Sequence, residues 1–348
     1  GITAATVNPA GGEILKDPKG QPIGLLRETA SGLANRALEA WRSKKTAEER
    51  DADANKQLDL AVKASLEAGI TTFQDAGSNF STLDLFKQAA TAGRLPIRLW
   101  VMVRDSNDNL RAKLAQYKAV GLNDNHLTIA AIKVVADGAL GSRGAWMLQP
   151  YEDSPSSVGL PTTPVESITE TAKIALENGM QLCTHCIGDR ANREVLNVYE
   201  RAYKSRPDLK DLRWRIEHAQ HISAQDIPRF GQLGVIASMQ GIHATSDAPY
   251  VLARLGAKRA EEGAYVWQKL MKSGAIVANG TDVPVERIDP MANFYATVTR
   301  KTKDGTVFFG DQKMSRAEAL KSYTWNGAYA AKEESLKGSL AQIGRAHV

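Results

Sequence analysis

Seven short apolar segments alternate with longer stretches of helical character, and this alternation limits the possible folds more than any other feature. The segments are rich in β-branched residues and lie at residues 70–75, 97–103, 127–135, 181–186, 213–218, 235–239 and 275–280. Such alternation predicts a parallel sheet whose strands are joined by helices. An open doubly wound sheet would carry a glycine-rich phosphate turn after an early strand, and no G-x-G-x-x-G pattern occurs. We therefore predict an α/β fold of the (β/α)8 TIM-barrel type that lacks strand one.

The length of 348 residues suits one barrel with insertions. Turn signals at residues 9–12 and 17–20 predict a hairpin, and Thr46 followed by Glu49 predicts a capped helix start. We predict three parts. Residues 1–66 form a hairpin and a helical insertion before barrel strand two, residues 67–340 form barrel strands two to eight, and residues 341–348 are a non-native or frayed tail.

Charge and composition narrow the expected partners. The net charge is +5, but basic and acidic residues are interleaved, so we predict no nucleic-acid partner. No apolar run of about 18 residues occurs, so no membrane span is predicted. Cys183 and Cys186 are too few for a disulfide framework; we expect two small buried hydrophobes, with a redox pair as the alternative. A small-molecule substrate is expected, a homo-oligomer stays open, and no cellular location is indicated.

Side chains of the metal-ligand type follow three of the predicted strands. His185 ends segment 181–186, His218 ends segment 213–218, and Asp282 follows segment 275–280. Because the parallel strands of a barrel end at one rim, we expect these groups to converge. Two neutral imidazoles suit Zn²⁺ or a similar ion, and the carboxylate can bind the ion or accept a proton from water. The alternatives are an ordinary polar histidine and a helix-capping aspartate.

Other polar residues near strand ends are further candidates. Lys133 lies inside an apolar strand, where a lysine is costly unless it is paired or modified. One interpretation is an ion pair with Asp137 or Glu217, and the other is a carbamate formed with CO₂. His243 and Arg143 are candidates for contacting the substrate, Arg143 through an anionic group. For both, the alternative is an ordinary loop residue.

Several segments in combination resemble motifs of one known family. The segments are Ile132 to Arg143, Thr184 to Asn192, Arg215 to His221, Ser238 to Asp247 and Asn279 to Glu286. They resemble, in order, the fourth to eighth strand motifs of the amidohydrolase superfamily. The resemblance is to the amidohydrolase-3 type subgroup, which includes N-substituted formamide deformylase and exoenzyme-regulator-like hydrolases, and it runs from about residue 1 to 340.

The resemblance implies a metal-dependent hydrolase acting on C–N bonds other than peptide bonds. It implies one or two divalent metal ions, zinc being expected, held by His185, His218, Asp282 and a carbamylated Lys133. Asp282 would also act as the general base. Gln240 is assigned with His243 and Arg143 to substrate binding.

The chain departs from this family in one respect, because no His-X-His pair occurs. The family carries that pair on its first strand, so we expect the chain to be a fragment without strand one and the accompanying small β domain. Metal binding and catalysis by the fragment itself are then in question. The alternative function is a non-catalytic binding or regulatory barrel without its metal. A third is an oxidoreductase or lyase on a similar barrel.

Overall fold

The computed structural model describes residues 1–340. These residues form ten strands and thirteen α-helices, numbered here in chain order. The strands are β1 (Gly12–Lys16), β2 (Pro22–Glu28), β3 (Thr72–Ser78), β4 (Arg98–Val103), β5 (Ala119–Gly121), β6 (Leu127–Val135), β7 (Gln181–Cys186), β8 (Arg215–His218), β9 (Ile236–Met239) and β10 (Val277–Asn279).

The helices lie mainly between the strands of the large sheet. They are α1 (Gly32–Arg42), α2 (Ala47–Glu67), α3 (Phe80–Thr91), α4 (Asn107–Tyr117), α5 (Leu122–Asn125), α6 (Val165–Glu177), α7 (Asp189–Ser205), α8 (Ile227–Leu233), α9 (Gly241–Gly263), α10 (Trp267–Lys272), α11 (Pro290–Thr299), α12 (Arg316–Tyr323) and α13 (Trp325–Ala330).

Seven parallel strands form one curled sheet in the order β10-β9-β8-β7-β6-β4-β3. Their positions match the seven predicted segments to within a few residues, so the predicted TIM-type α/β fold is confirmed. Short β5 adds to β6 in the antiparallel direction. Within residues 1–340 no pairing joins β3 to β10, and the ring of strands stays open there. The predicted hairpin is also present, as antiparallel β1 and β2.

Side chains alternate between two cores, as the pleat of a strand requires. In β4, Trp100 and Met102 face inward and meet Cys183 of β7 in a small cluster inside the curled sheet. Leu99 and Val101 face outward and join the large core between the sheet and the helices. Both cysteines are buried and unbonded to each other, as expected for two small hydrophobes.

The segment before β3 contains the predicted capping box, in which Thr46 and Glu49 bond reciprocally at the start of α2. The proposed division at residue 66 stays a prediction. The predicted tail at 341–348 lies outside the described residues. No helix within residues 1–340 combines the length and apolar character needed to cross a bilayer.

Candidate metal centre

The candidate residues come from the carboxyl ends of neighbouring strands. Lys133 pairs in register with Cys183, and His185 pairs with Glu217 on the next strand. The imidazole rings of His185 and His218 meet edge to face, with their centroids 4.4 Å apart. The expected convergence of His185 and His218 at one rim is therefore observed.

His218 reaches this rim because its backbone leaves the strand conformation. Arg215 and Glu217 share the inner face of β8, as their ion pair of 2.9 Å shows. Strict alternation would turn the next residue outward. Instead, His218 has a φ of 74° and Ala219 a φ of 44°, both in the left-handed region. This uncommon backbone redirects the imidazole towards the other candidate ligands.

His218, His243 and Asp282 form the tightest group of potential ligands. One ligand atom from each lies within 4.8 Å of the others. Asp282 Oδ2 is 3.7 Å from His243 Nε2 and 3.9 Å from His218 Nδ1. His243, which the sequence analysis assigned to substrate binding, therefore lies as close to the carboxylate as His218 does.

Asn293 of α11 connects the first turn of α9, which carries His243, to the loop that carries Asp282. Its side-chain amide donates to the carbonyl of Gly280, with a distance of 2.5 Å, and its Oδ1 accepts the N–H of Ile242 at 2.6 Å. Asn293 is fully buried. Because both segments bond to one buried side chain, their relative positions are held without a metal ion.

The electrostatic environment favours neutral imidazoles. Burial, and then the neighbouring cationic groups, hold the pKa values of His185 and His218 well below the usual range. Burial raises the pKa of Asp282, while His243 and Lys133 lower it. Neutral imidazole is the form that binds metal ions, so His185 and His218 are in the protonation state that a metal site needs.

Lys133 is 7% exposed, and burial lowers its pKa. The ion-pair alternative is not observed in the described part of the chain: Asp137 accepts backbone N–H groups, and Glu217 pairs with Arg215. A lowered pKa increases the share of neutral amine, which is the form that reacts with CO₂. The carbamate interpretation stays a prediction.

From the sequence, Asp137 is expected only as a possible ion-pair partner of Lys133, but the structure places it beside His185. The fully buried carboxylate accepts the backbone N–H groups of Trp146, Ile187 and Gly188 at 2.7–2.9 Å. Its Oδ1 lies 3.6 Å from His185 Nε2. Burial raises its pKa to about 8, while the N–H bonds lower it. The available sequence signal was its position in Asp-Gly directly after the strand of Lys133.

Two predicted substrate contacts have other partners. Gln240 Oε1 accepts a hydrogen bond from His218 Nδ1 at 2.8 Å. This arrangement is typical of a residue that orients a metal-binding histidine. The guanidinium of Arg143 is bound on two sides by Asp153, at 3.0 and 2.9 Å. The structure thus does not leave Arg143 free for an anionic substrate group.

The residues present fit a divalent metal ion. The Nε2 atoms of His185 and His243 are buried without a hydrogen-bond partner. Buried polar atoms are normally satisfied, so two unpartnered nitrogens beside a carboxylate indicate a missing ligand. An imidazole and carboxylate donor set suits zinc and similar ions.

Comparison with known proteins assigns the chain to a family. A family model described as the amidohydrolase family matches residues 1–347. The chain belongs to the amidohydrolase family. The resemblance found in the strand-end motifs is thereby confirmed.

Three curated relatives extend beyond the chain. It is 31% identical to Protein LONG AFTER FAR-RED 3 of Arabidopsis thaliana and 29% identical to the putative amidohydrolase YtcJ of Bacillus subtilis, over 98% of the chain in each case. It is 26% identical to N-substituted formamide deformylase of Arthrobacter pascens over 100% of its length. The chain spans only 59%, 63% and 64% of these proteins, respectively.

A solved structure supports the same assignment. An uncharacterised metal-dependent hydrolase from Pyrococcus horikoshii is 25% identical and superposes with a TM-score of 0.79. The match covers 96% of this chain and 65% of that one. Family and fold together support a hydrolytic function.

Proposed function

We propose that the chain is the barrel segment of a metal-dependent hydrolase that cleaves a C–N bond other than a peptide bond. The observation that carries the proposal is the convergence of His218, His243 and Asp282 within 4.8 Å at the rim. The name of the formamide deformylase relative supports the bond type. The family assignment supports hydrolysis.

Each residue has a proposed role. His185, His218, His243 and Asp282 would hold one or two divalent ions, zinc being the expected metal. Such an ion, when bound, polarises a carbonyl group and lowers the pKa of water. Asp282 takes a proton from the attacking water, whose oxygen bonds to the carbonyl carbon. The C–N bond then breaks and the proton passes to the leaving nitrogen.

We further propose that Lys133 becomes a carbamate. Its neutral amine attacks the carbon of CO₂, the new N–C bond forms, and one proton is released to water. The product is an anionic group that could bind a metal ion in place of the lysine amine. Isotopically labelled bicarbonate should give a carbamate resonance that Lys133→Ala lacks. A spectrum unchanged by that substitution would contradict the assignment.

The central experiment is metal analysis of this chain combined with an assay of N-substituted formamides. We expect His218→Ala to lose metal, and Asp282→Asn to lower kcat by about a hundredfold or more. His126→Gln is the matched control, because its imidazole bonds to the carbonyl of Leu95 at the opposite end of β6. Unchanged metal content in His218→Ala would overturn the proposal. Metal binding without turnover of any C–N substrate would favour the binding-barrel alternative.

A further inference from the structure

The N-terminal hairpin contacts the barrel through Glu28, a residue to which the proposed function assigns no role. Glu28, the last residue of β2, extends its carboxylate into the loop that follows β6. Its Oε1 accepts the hydroxyl of Ser142 at 2.7 Å and the N–H of Ala139 at 3.4 Å. This loop begins at Asp137, which lies beside His185.

Two glycines make room for that carboxylate. A Cβ on Gly138 would come within 2.2 Å of Glu28 Cδ, and a Cβ on Gly144 within 2.2 Å of Oε1. Neither glycine has a left-handed backbone. The space that the two glycines leave is filled by one side chain, and a Cβ at either position would displace the Glu28 carboxylate.

The backbone of Glu28 has a conformation that is unfavourable for a residue with a side chain. Its φ of 49° and ψ of −125° lie in a region that glycine adopts far more easily. A glycine would relieve that strain but would leave the space between Gly138 and Gly144 empty. The hairpin meets the same part of the barrel a second time, because Gly11 packs against Pro161 and Thr162.

The contact leads directly to a candidate metal ligand. Asp137 Oδ1 lies 3.6 Å from His185 Nε2, and Gly138 is the next residue in the chain. The preceding residue, Asp137, accepts the N–H groups of Ile187 and Gly188, just after His185 in the chain. A shift of the loop at Gly138 would therefore move the groups that orient this imidazole.

We propose that Glu28 is a positioning residue that clamps the loop 137–146 and thereby fixes His185 for metal binding. The inference rests on the proposed metal site. In metal sites generally, residues outside the coordination sphere orient the metal-binding histidines. Loss of such a residue weakens metal affinity about 10- to 100-fold.

The test measures Co²⁺ affinity and the visible spectrum of the Co²⁺ protein, with amide hydrogen exchange in residues 137–146. We expect Glu28→Ala to weaken Co²⁺ binding about 10- to 100-fold and to speed exchange in the loop. Glu28→Gln should restore much of the affinity, because its amide oxygen still accepts from Ser142. The matched control is Glu13→Ala, since Glu13 pairs with Arg27 inside the same hairpin.

A double-mutant cycle separates the clamp from general instability. Gly144→Ala should weaken Co²⁺ binding in the unaltered chain but cause little further loss in Glu28→Ala, because its predicted clash is with that carboxylate. Full additivity, or unchanged loop exchange in Glu28→Ala, would overturn the clamp. A Co²⁺ affinity in Glu28→Ala equal to that of the unaltered chain would show that Glu28 does not position His185. Failure of the unaltered chain to bind Co²⁺ would overturn the proposed function and the effect of Glu28 on His185. Amide hydrogen exchange in residues 137–146 would still show whether Glu28 holds this loop in place.

Discussion

At the scale of single residues, Arg215 has the most demanding environment. Its guanidinium is 1% exposed, inside the curled sheet. It donates to Gln74 Oε1 on β3 at 2.5 Å, pairs with Glu217, and lies over the ring of Trp100 at 4.6 Å. The side chain thus connects β8 to strands on the far side of the sheet.

Replacing Arg215 should be strongly destabilising. Arg215→Met leaves the Glu217 carboxylate buried without its cation, which costs about 3–5 kcal/mol of unfolding free energy. Denaturant titration measures this loss. Arg206→Met removes an exposed pair with Asp208 and should change stability by less than about 0.5 kcal/mol. Equal effects of the two substitutions would contradict this account.

His221 predicts a dependence of stability on pH. Both ring nitrogens are buried without a hydrogen-bond partner, and burial lowers the pKa to about 3. The unfolded chain, with a histidine pKa of about 6.5, binds more protons between these values. The stability that neutral His221 contributes is therefore complete above the unfolded pKa and is lost as the pH falls towards 3.

Removing the imidazole should reduce this acid sensitivity. In His221→Phe we expect the slope of unfolding free energy against pH to fall by up to about 1.4 kcal/mol per pH unit in the acid range. Urea titrations at pH values below and above the pKa of an unfolded histidine measure this slope. A slope identical to that of the unaltered chain would show that His221 does not titrate differently on unfolding.

At the scale of elements, local signals were sufficient for most of the fold. The alternation of apolar segments predicted all seven parallel strands, and the residues Thr46 and Glu49 predicted the capping box of α2. Both features depend on neighbours along the chain. Helices α12 and α13 are separate because Thr324 has a non-helical backbone between them.

The capping box allows a small, specific prediction. Thr46→Ala removes the acceptor of the Glu49 N–H, and we expect a loss of about 1 kcal/mol in stability. Thr46→Ser keeps the hydroxyl and should retain most of it. Thermal unfolding of both variants, with exchange rates in the first turn of α2, distinguishes them. A Thr46→Ser protein as unstable as Thr46→Ala would show that the cap contributes nothing.

At the scale of the whole molecule, the rim should link metal binding to stability. Any ion that binds only the folded chain stabilises it by about 2.7 kcal/mol at a concentration one hundred times its dissociation constant. We expect Zn²⁺ to raise the unfolding midpoint, chelator to reverse the rise, and His218→Ala to abolish it. If Zn²⁺ raises the unfolding midpoint of His218→Ala as much as that of the unaltered chain, the ion binds at a different site.

The residues alone predicted the seven strands and placed His185, His218 and Asp282 at or just after strand ends, because a strand and its end are read from consecutive residues. Only the tertiary structure decided how those side chains meet. The left-handed backbone at His218, the capture of Arg143 by Asp153 and the approach of His243 to Asp282 depend on contacts with other parts of the chain. No local pattern encodes such contacts, since their free energy exists only once the sheet has curled and buried them.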